Sequence, residues 1–376
     1  MHNLTSRALC AAAVILGSIS AATATELPKA TKAALTELKL ESSIMDGLDA
    51  ELDVPKAWTD GAAQEKGAVI ILGTWQDAEF RRITEAFVER YPSIKLNYAR
   101  STSAARGMKV LMALSAGRAI ADVITSVGDS YGEFKEQKAL ADLRDLPGVK
   151  NLAADHIDAE GSWVAHKIGF RCMSYNTDLV KTADLPKTWD DLLNNPAWRG
   201  GKIALSNTPN AWLLALWSEK GEDWGRQFTK RLFTELQPQQ RKEGMMAVTG
   251  LAVAGEFYAN IPAPERRVEQ YASKGAPIGY HCPEPVPITL SQIVMLEKAE
   301  RKNGARIFIN WLISREGQIL QFVANASVPV HKDLQDPRFI PFSETIVGKP
   351  SIARGEDMFG DIVTRMDEAW NAHWTK

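Results

Sequence analysis

Four arginines, Arg106, Arg171, Arg266 and Arg267, stand on or beside segments whose spacing puts them near strand ends. A guanidinium fork matches a carboxylate or phosphate through two parallel hydrogen bonds. The chemistry on offer is capture of a small anion, against the ordinary alternative of solvated arginines and surface ion pairs. Ser101-Thr102-Ser103 and Asn207-Thr208-Pro209-Asn210 open helices. Free N–H groups and the positive end of a helix dipole also favour an anion there, although simple capping uses the same residue types. Trp75 and Trp212 offer flat faces for stacking on a ring, with core packing as the competing role for Trp212. Catalytic signals are poor. His156, His166, His281 and His331 are scattered without metal-ligand spacing, and neither a nucleophile elbow nor a phosphate-binding loop motif is present. Asp190-Asp191 read as first-turn charges on a helix dipole. No enzyme activity, cofactor or resident metal is expected.

These residues need elements to hold them. Ala68 to Leu72 is an apolar run suited to a buried parallel strand. A helix from Asp77 to Tyr91 follows, with Phe80, Ile83, Phe87 and Tyr91 on one face and Pro92 as its stop. Ile94 to Tyr98 and Ala121 to Thr125 are further strands, separated by a helix that runs to Gly117. Strand and helix alternate, so the sheet should be mostly parallel with helices on both faces. Ligands bind beyond the carboxyl ends of such strands, which singles out Thr74, Trp75, Ser101, Ser103, Ser126 and Asp129.

The stretch Lys167 to Asn176 alternates as a strand, with Ile168, Phe170 and Cys172 on one face and Arg171, Met173 and Tyr175 on the other. An α/β run precedes it and a second follows it, so it is read as the passage from one lobe to another. The second run has a capped helix start at Thr188-Trp189, a strand at Lys202 to Leu205, a helix over Ala211 to Lys220, and a strand at Ile278 to His281. Pro283, Pro285 and Pro287 then exclude a central ladder and suit a stiff extended return. Thr289 to Leu296 is another strand, and helices follow over 303–313, 315–323 and 357–374.

The 376 residues carry 45% hydrophobic and 24% charged side chains and a net charge of −2. Length allows two domains, and the charge balance gives no footprint for nucleic acid. Arg7, the apolar run Ala8 to Ile19 and Ala22-Thr23-Ala24 read as a secretory signal peptide over residues 1–24. That run is shorter than the ~20 residues a membrane span needs. Cleavage leaves Cys172 and Cys282, which an oxidising compartment permits to pair or which pack as two separate thiols. The expected division is a helical leader over 25–67, lobe 1 over 68–170 plus 287–335, lobe 2 over 171–286, and a C-terminal helical segment over 336–376.

Several segments together resemble class II solute-binding proteins of ABC importers, in the branch with ferric-ion, sugar-phosphate and aminophosphonate binders. They are Ile71-Leu72-Gly73-Thr74-Trp75, Ala121-Asp122-Val123-Ile124, Ser174-Tyr175-Asn176-Thr177, Leu185 to Leu192, Trp198-Arg199-Gly200-Gly201-Lys202-Ile203, Gly255-Glu256, Lys274-Gly275-Ala276-Pro277 and Phe308-Ile309-Asn310-Trp311-Leu312. The resemblance runs from about Pro55 to Leu334. It implies a two-lobe α/β fold of the periplasmic-binding-protein type II, each lobe a mostly parallel sheet flanked by helices, joined by two crossover segments. It also implies a periplasmic monomer that hands a small solute to an inner-membrane ABC permease. The crossings of that class run side by side, which favours a bond between Cys172 and Cys282. The ferric binders of the branch carry an adjacent tyrosine pair. Here the matching position falls near Glu265-Arg266, which puts direct iron binding in doubt and leaves Tyr258, Tyr271 and Tyr280 as weaker alternatives. The expected ligand is an anion, phosphorylated or carboxylated. Thr74, Ser101, Ser103, Ser126 and Asp129 are the first-lobe candidates, and Tyr175, Asn207, Asn210, Arg266 and Glu284 the second-lobe ones. Ferric iron with a synergistic anion, an exported enzyme and a sensor subunit are the competing readings. Arg301 is expected at the surface.

Overall fold

The structure is a computed structural model and describes residues 26–101, 103–127, 130–353 and 361–375, without the side chains of 103–106. The signal-peptide segment and Asp129 lie outside the described residues.

Three leader helices, α1 (Lys29–Glu37), α2 (Leu48–Leu52) and α3 (Lys56–Gln64), precede β1 (Val69–Gly73), α4 (Asp77–Arg90), β2 (Leu96–Arg100), α5 (Ser103–Ser115), β3 (Val123–Thr125) and α6 (Tyr131–Glu136). Then comes β4 (Val164–Asn176), whose thirteen residues make it the longest strand among those described. It leads to α7 (Trp189–Asn194), β5 (Ile203–Ser206), α8 (Leu213–Lys220), α9 (Glu222–Thr234), β6 (Gln239–Arg241), α10 (Met245–Val253), β7 (Ala259–Pro264), α11 (Glu265–Ala272) and β8 (Ile278–His281). The chain returns through β9 (Val286–Met295) and finishes with α12 (Lys302–Ile313), α13 (Arg315–Asn325), β10 (Ser351–Ala353) and α14 (Asp361–Asn371).

The strand order is β2-β1-β3-β9-β4-β7-β5-β6, with β10 also on β9 and β8 also on β4. β4 belongs to both halves: Val164 to Phe170 pairs antiparallel with β9, and Arg171 to Asn176 with β7 and β8. The change of pairing partner falls between Phe170 and Arg171. Within each half the pairings β1–β2, β1–β3, β5–β6 and β5–β7 are parallel. This is the two-lobe α/β fold, with β4 and the run into β9 as its crossings.

The proline run behaves differently from its sequence reading. β9 begins inside it, at Val286, and lies centrally between β3 and β4. Pro287 falls where β10 supplies the neighbour, opposite Ile352, and pairing with β4 starts at Ile288. A proline at the start of a strand forfeits one donor without breaking the ladder that follows. β2 and β3 also begin two residues later than their apolar runs, and α8 begins at Leu213 after a short 3-10 turn over Pro209–Ala211.

Local chemistry explains the helix starts. Gln76 and Glu79 form a capping box on α4, as do Thr188 and Asp191 on α7, each satisfying N–H groups the first turn leaves open. Ser314 caps α13 as its position suggested. Phe80, Ile83 and Phe87 of α4 are buried as expected, with Phe87 against Phe308 and Trp311 of α12 and Phe80 against Trp75 and Tyr98. The leader is fastened by carboxylates, of which Glu51 and Glu316 are buried. Glu316 accepts from both Arg90 Nε and Nη2 at 2.9 Å, from Thr31 at 2.7 Å and from Trp311 at 2.8 Å. Glu51 holds Arg315, and Glu65 takes the Asn303 and Gly304 N–H groups at 2.8 and 3.0 Å. The C-terminal segment spans both halves. β10 lies along the start of β9, while Met366 and Trp370 of α14 sink into the second-lobe core.

Cys172 and Cys282 are bonded, with Cα atoms 4.9 Å apart, inside the ~4.4–6.8 Å range disulfides occupy. The bond joins β4 just beyond the passage to the return segment.

Candidate functional site

The carboxyl edge of β2-β1-β3 carries Thr74, Ser101 and Ser126, all half-buried, at the ends of three adjacent strands. Ser101 N donates to Gly73 O and Ser126 N to Gln292 O. α4 opens from this edge. Its Glu79 accepts the Gln76 N–H at 2.9 Å and lies 3.5 Å from Arg266 Nη1. Arg266 belongs to α11, which opens from the carboxyl end of β7 in the other lobe. The two helix starts thus face each other, and an ion pair spans the lobes.

Beside that pair is the passage in β4. Glu265, 2% exposed, accepts from Phe170 N at 3.1 Å and Arg171 Nη1 at 3.0 Å. Arg171 also donates to Phe170 O. A side chain at Gly169 would meet the Arg171 guanidinium at 2.8 Å and Thr289 Oγ1 at 2.9 Å, so this glycine makes the room that the arginine occupies. Lys167 stands on the same strand face, four residues before Arg171. Its amine makes no hydrogen bond or ion pair among the described residues. Burial first, then the Arg266 and Arg171 guanidiniums, push it down to about 7, against the opposite pull of Glu79 and Glu265. A bulge at His166 sets this register: Ala165 pairs with Gln292 and Lys167 with Ser291. Bulges commonly re-aim side chains next to sites. His166 Nδ1 bonds Gln321 at 2.9 Å, and burial holds the imidazole down to about 3. Three cations, Lys167, Arg171 and Arg266, therefore meet two carboxylates, each already taken by other donors. The arrangement can receive an anion.

The remaining sequence candidates divide. Trp75 is 1% exposed, packed against Phe80, Tyr98 and His166. Trp212 is fully buried on Trp189 at 4.8 Å. Both are core residues with no free face for a ligand. Tyr175 likewise lies in the second-lobe core, its ring covering Gly279. Asn207 accepts from Trp370 Nε1 at 2.8 Å and so anchors α14, while Asn210 stays half-buried. Glu284 sits on the return crossing, where its N–H donates to Lys187 O at 2.8 Å. Arg267 is committed to Tyr271, whose hydroxyl it reaches at 2.6 Å. Ser103 and Arg106 open α5, and their side chains lie outside the described atoms. Arg301 is no surface residue: its Nε donates to buried Asp122 at 2.9 Å.

Sequence reasoning missed Lys167, Glu79 and Glu265. The spacing of Lys167, Gly169 and Arg171 on one strand face was the available signal for the first. The carboxylates gave none, because only the tertiary fold brings α4 and α11 together. Ser206 Oγ and Thr208 Oγ1, at the end of β5, and Trp75 Nε1, Thr125 Oγ1 and His166 Nε2 in the first lobe are buried without hydrogen-bond partners among the described residues.

Solved structures of similar fold agree on the architecture. Iron-bound HitA from Pseudomonas aeruginosa matches with a TM-score of 0.67 and 18% identity, over 81% of this chain and 99% of that one. AfuA from Actinobacillus pleuropneumoniae with bound fructose-6-phosphate matches with a TM-score of 0.65 and 18% identity, over 82% and 99%. The Trichodesmium protein IdiA (FutA), in complex with iron and citrate, gives 0.68 and 18%, over 82% and 100%. An uncharacterized protein of Haemophilus influenzae is 25% identical over 294 residues, covering 72% of this chain and 80% of that protein. Residues 118–341, more than half of the chain, match the family described as bacterial extracellular solute-binding protein, and the chain belongs to that family.

Proposed function

We propose that this protein captures a small anionic solute, phosphorylated or carboxylated, between its lobes in the periplasm and presents it to an ABC permease. The observation that carries the reading is the meeting of Lys167, Arg171 and Arg266 at the lobe passage, with Arg266 reaching across to Glu79 at 3.5 Å. A ligand shifts an open–closed balance only by binding the two states differently. An anion held by Arg266 from one lobe and by the strand-end hydroxyls Thr74, Ser101 and Ser126 from the other satisfies that condition. Residues 68–170 with 287–335, and 171–286, are the two bodies that close, and the Cys172–Cys282 bond ties the crossings together.

The iron-bound neighbours raise direct ferric binding as a second reading, and the tyrosines of this chain speak against it. Tyr280 is fully buried, hydrogen-bonded to Cys172 N at 3.1 Å, and burial pushes its hydroxyl well above the usual range. Tyr271 is bonded to Arg267, and Tyr258 lies under Lys202. No two tyrosines are neighbours in the sequence. The test is calorimetry with inorganic phosphate, sulfate and citrate, together with small-angle scattering. Binding accompanied by a smaller radius of gyration is expected. Binding of neutral sugars alone, or saturation without contraction, contradicts the reading.

A further inference from the structure

The three cations do not have equal partners. Arg171 holds Glu265 and Arg266 faces Glu79, while Lys167 has neither hydrogen bond nor ion pair among the described residues. The charged and titratable groups around its amine are few. β4 contributes Arg171 and His166, α11 contributes Arg266 and Glu265, and α4 contributes Glu79. The facing residues of β9, Thr289, Ser291 and Gln292, are neutral. Both carboxylates are occupied, Glu265 by Phe170 N and Arg171, and Glu79 by Gln76 N and Arg266.

A half-buried ammonium without a counter-charge is costly, and a group so placed tends to shed its proton. One guanidinium fork matches the single charge of a carboxylate. A tetrahedral dianion brings further oxygens and a second charge, and the free lysine is the group left to meet them. We propose that Lys167 recognises this second charge, taking up one proton from solvent as a phosphate-, phosphonate- or sulfate-type dianion enters beside Arg171 and Arg266. The proposal rests on the anion reading of the cleft. It adds a preference for dianions and a proton coupled to their capture. The depressed amine agrees with it: near pH 8 the free site is mostly neutral and the loaded site is charged.

The test uses sulfate, whose charge stays fixed across the range, and acetate as a monoanion. Calorimetry at pH 6 and pH 8, in buffers of different ionisation enthalpy, counts the protons taken up. For an amine near 7, sulfate binding should take up about 0.9 proton at pH 8 and about 0.1 at pH 6. Sulfate affinity should rise by up to about tenfold from pH 8 to pH 6, with a smaller change for acetate. Lys167→Met should abolish the uptake, and Lys167→Arg, which keeps a permanent charge, should lose the uptake and bind sulfate at pH 8 about as tightly as the wild type does at pH 6. Sulfate binding without proton uptake, or uptake unchanged in both variants, overturns the role of Lys167 and leaves the anion site standing. Failure of both anions to bind removes the anion reading itself, and this proposal with it.

Discussion

Glu79 is the carboxylate that an anion entering beside Arg266 has to displace. It caps α4 through Gln76 N and meets Arg266 from the opposite lobe. Glu79→Gln removes the charge and keeps the cap, because glutamine also serves at the third position of a capping box. At 3.5 Å and an effective dielectric of about 20, the bare attraction is about 5 kcal/mol. Both side chains keep solvent contact, at 25% for Arg266 and 16% for Glu79, and exposed pairs return only about 0–1 kcal/mol. About 1 kcal/mol is therefore a fair figure for the contact an entering anion displaces. Repulsion between that anion and the displaced carboxylate adds about 0.5–1 kcal/mol at close range after screening. Removing both terms makes anion binding tighter by about 1.5–2 kcal/mol, roughly 13–30-fold. The assay is calorimetry with phosphate and sulfate, with thermal unfolding checked in parallel. Weaker anion binding by a stably folded Glu79→Gln protein would refute the reasoning, since Glu79 would then assist the ligand instead of competing with it.

Other perturbations separate site from scaffold. Arg266→Ala should weaken anion binding by about 2 kcal/mol, the lower range for breaking a charge-assisted pair, while Arg338→Ala, at an exposed pair with Asp336, should change nothing measurable; equal losses would misplace the clamp. Cys172→Ser with Cys282→Ser releases a link spanning 110 residues and should cost up to ~4–5 kcal/mol in denaturant unfolding; unchanged stability contradicts a structural bond. Trp212→Ala should cost about 3–5 kcal/mol of stability with its effect on affinity confined to that loss, and a selective loss of ligand binding in a stable variant would return Trp212 to the cleft. His166, held down to about 3 against an unfolded value of about 6.5, binds a proton more readily in the unfolded chain. Its contribution to stability should thus be full above about pH 6.5 and fall progressively towards pH 3, and a His166→Gln protein should show a shallower acid slope than the wild type.

Much of this fold could be read from pattern because local and tertiary demands coincide. The apolar run of β1, the Phe80–Ile83–Phe87 face of α4 and the Ser314 cap each state in a few residues what the structure then does. The strand of β4 also lay within reach through its alternation, whereas two cysteines alone left a bond and two separate thiols equally open, and only the side-by-side crossings that the resemblance implies pointed to the Cys172–Cys282 bond. The site was less legible for physical reasons. A tryptophan near a strand end looks alike whether it faces ligand or core, and Trp75 and Trp212 went into the core because each found ring neighbours from other segments, Tyr98 and His166 for Trp75 and Trp189 for Trp212. Arg301 looked like a surface charge until buried Asp122 supplied its partner from 179 residues away. The pairing of Glu79 with Arg266 is likewise a product of how two helices are brought face to face.

The most direct test is mass spectrometry of the solute released from protein freshly purified from the periplasm, wild type and Arg266→Ala side by side. The account predicts a small molecule bearing phosphate, phosphonate or carboxylate, near one per chain in the wild type and depleted in the variant. A neutral or cationic solute, retained equally by both proteins, would contradict it.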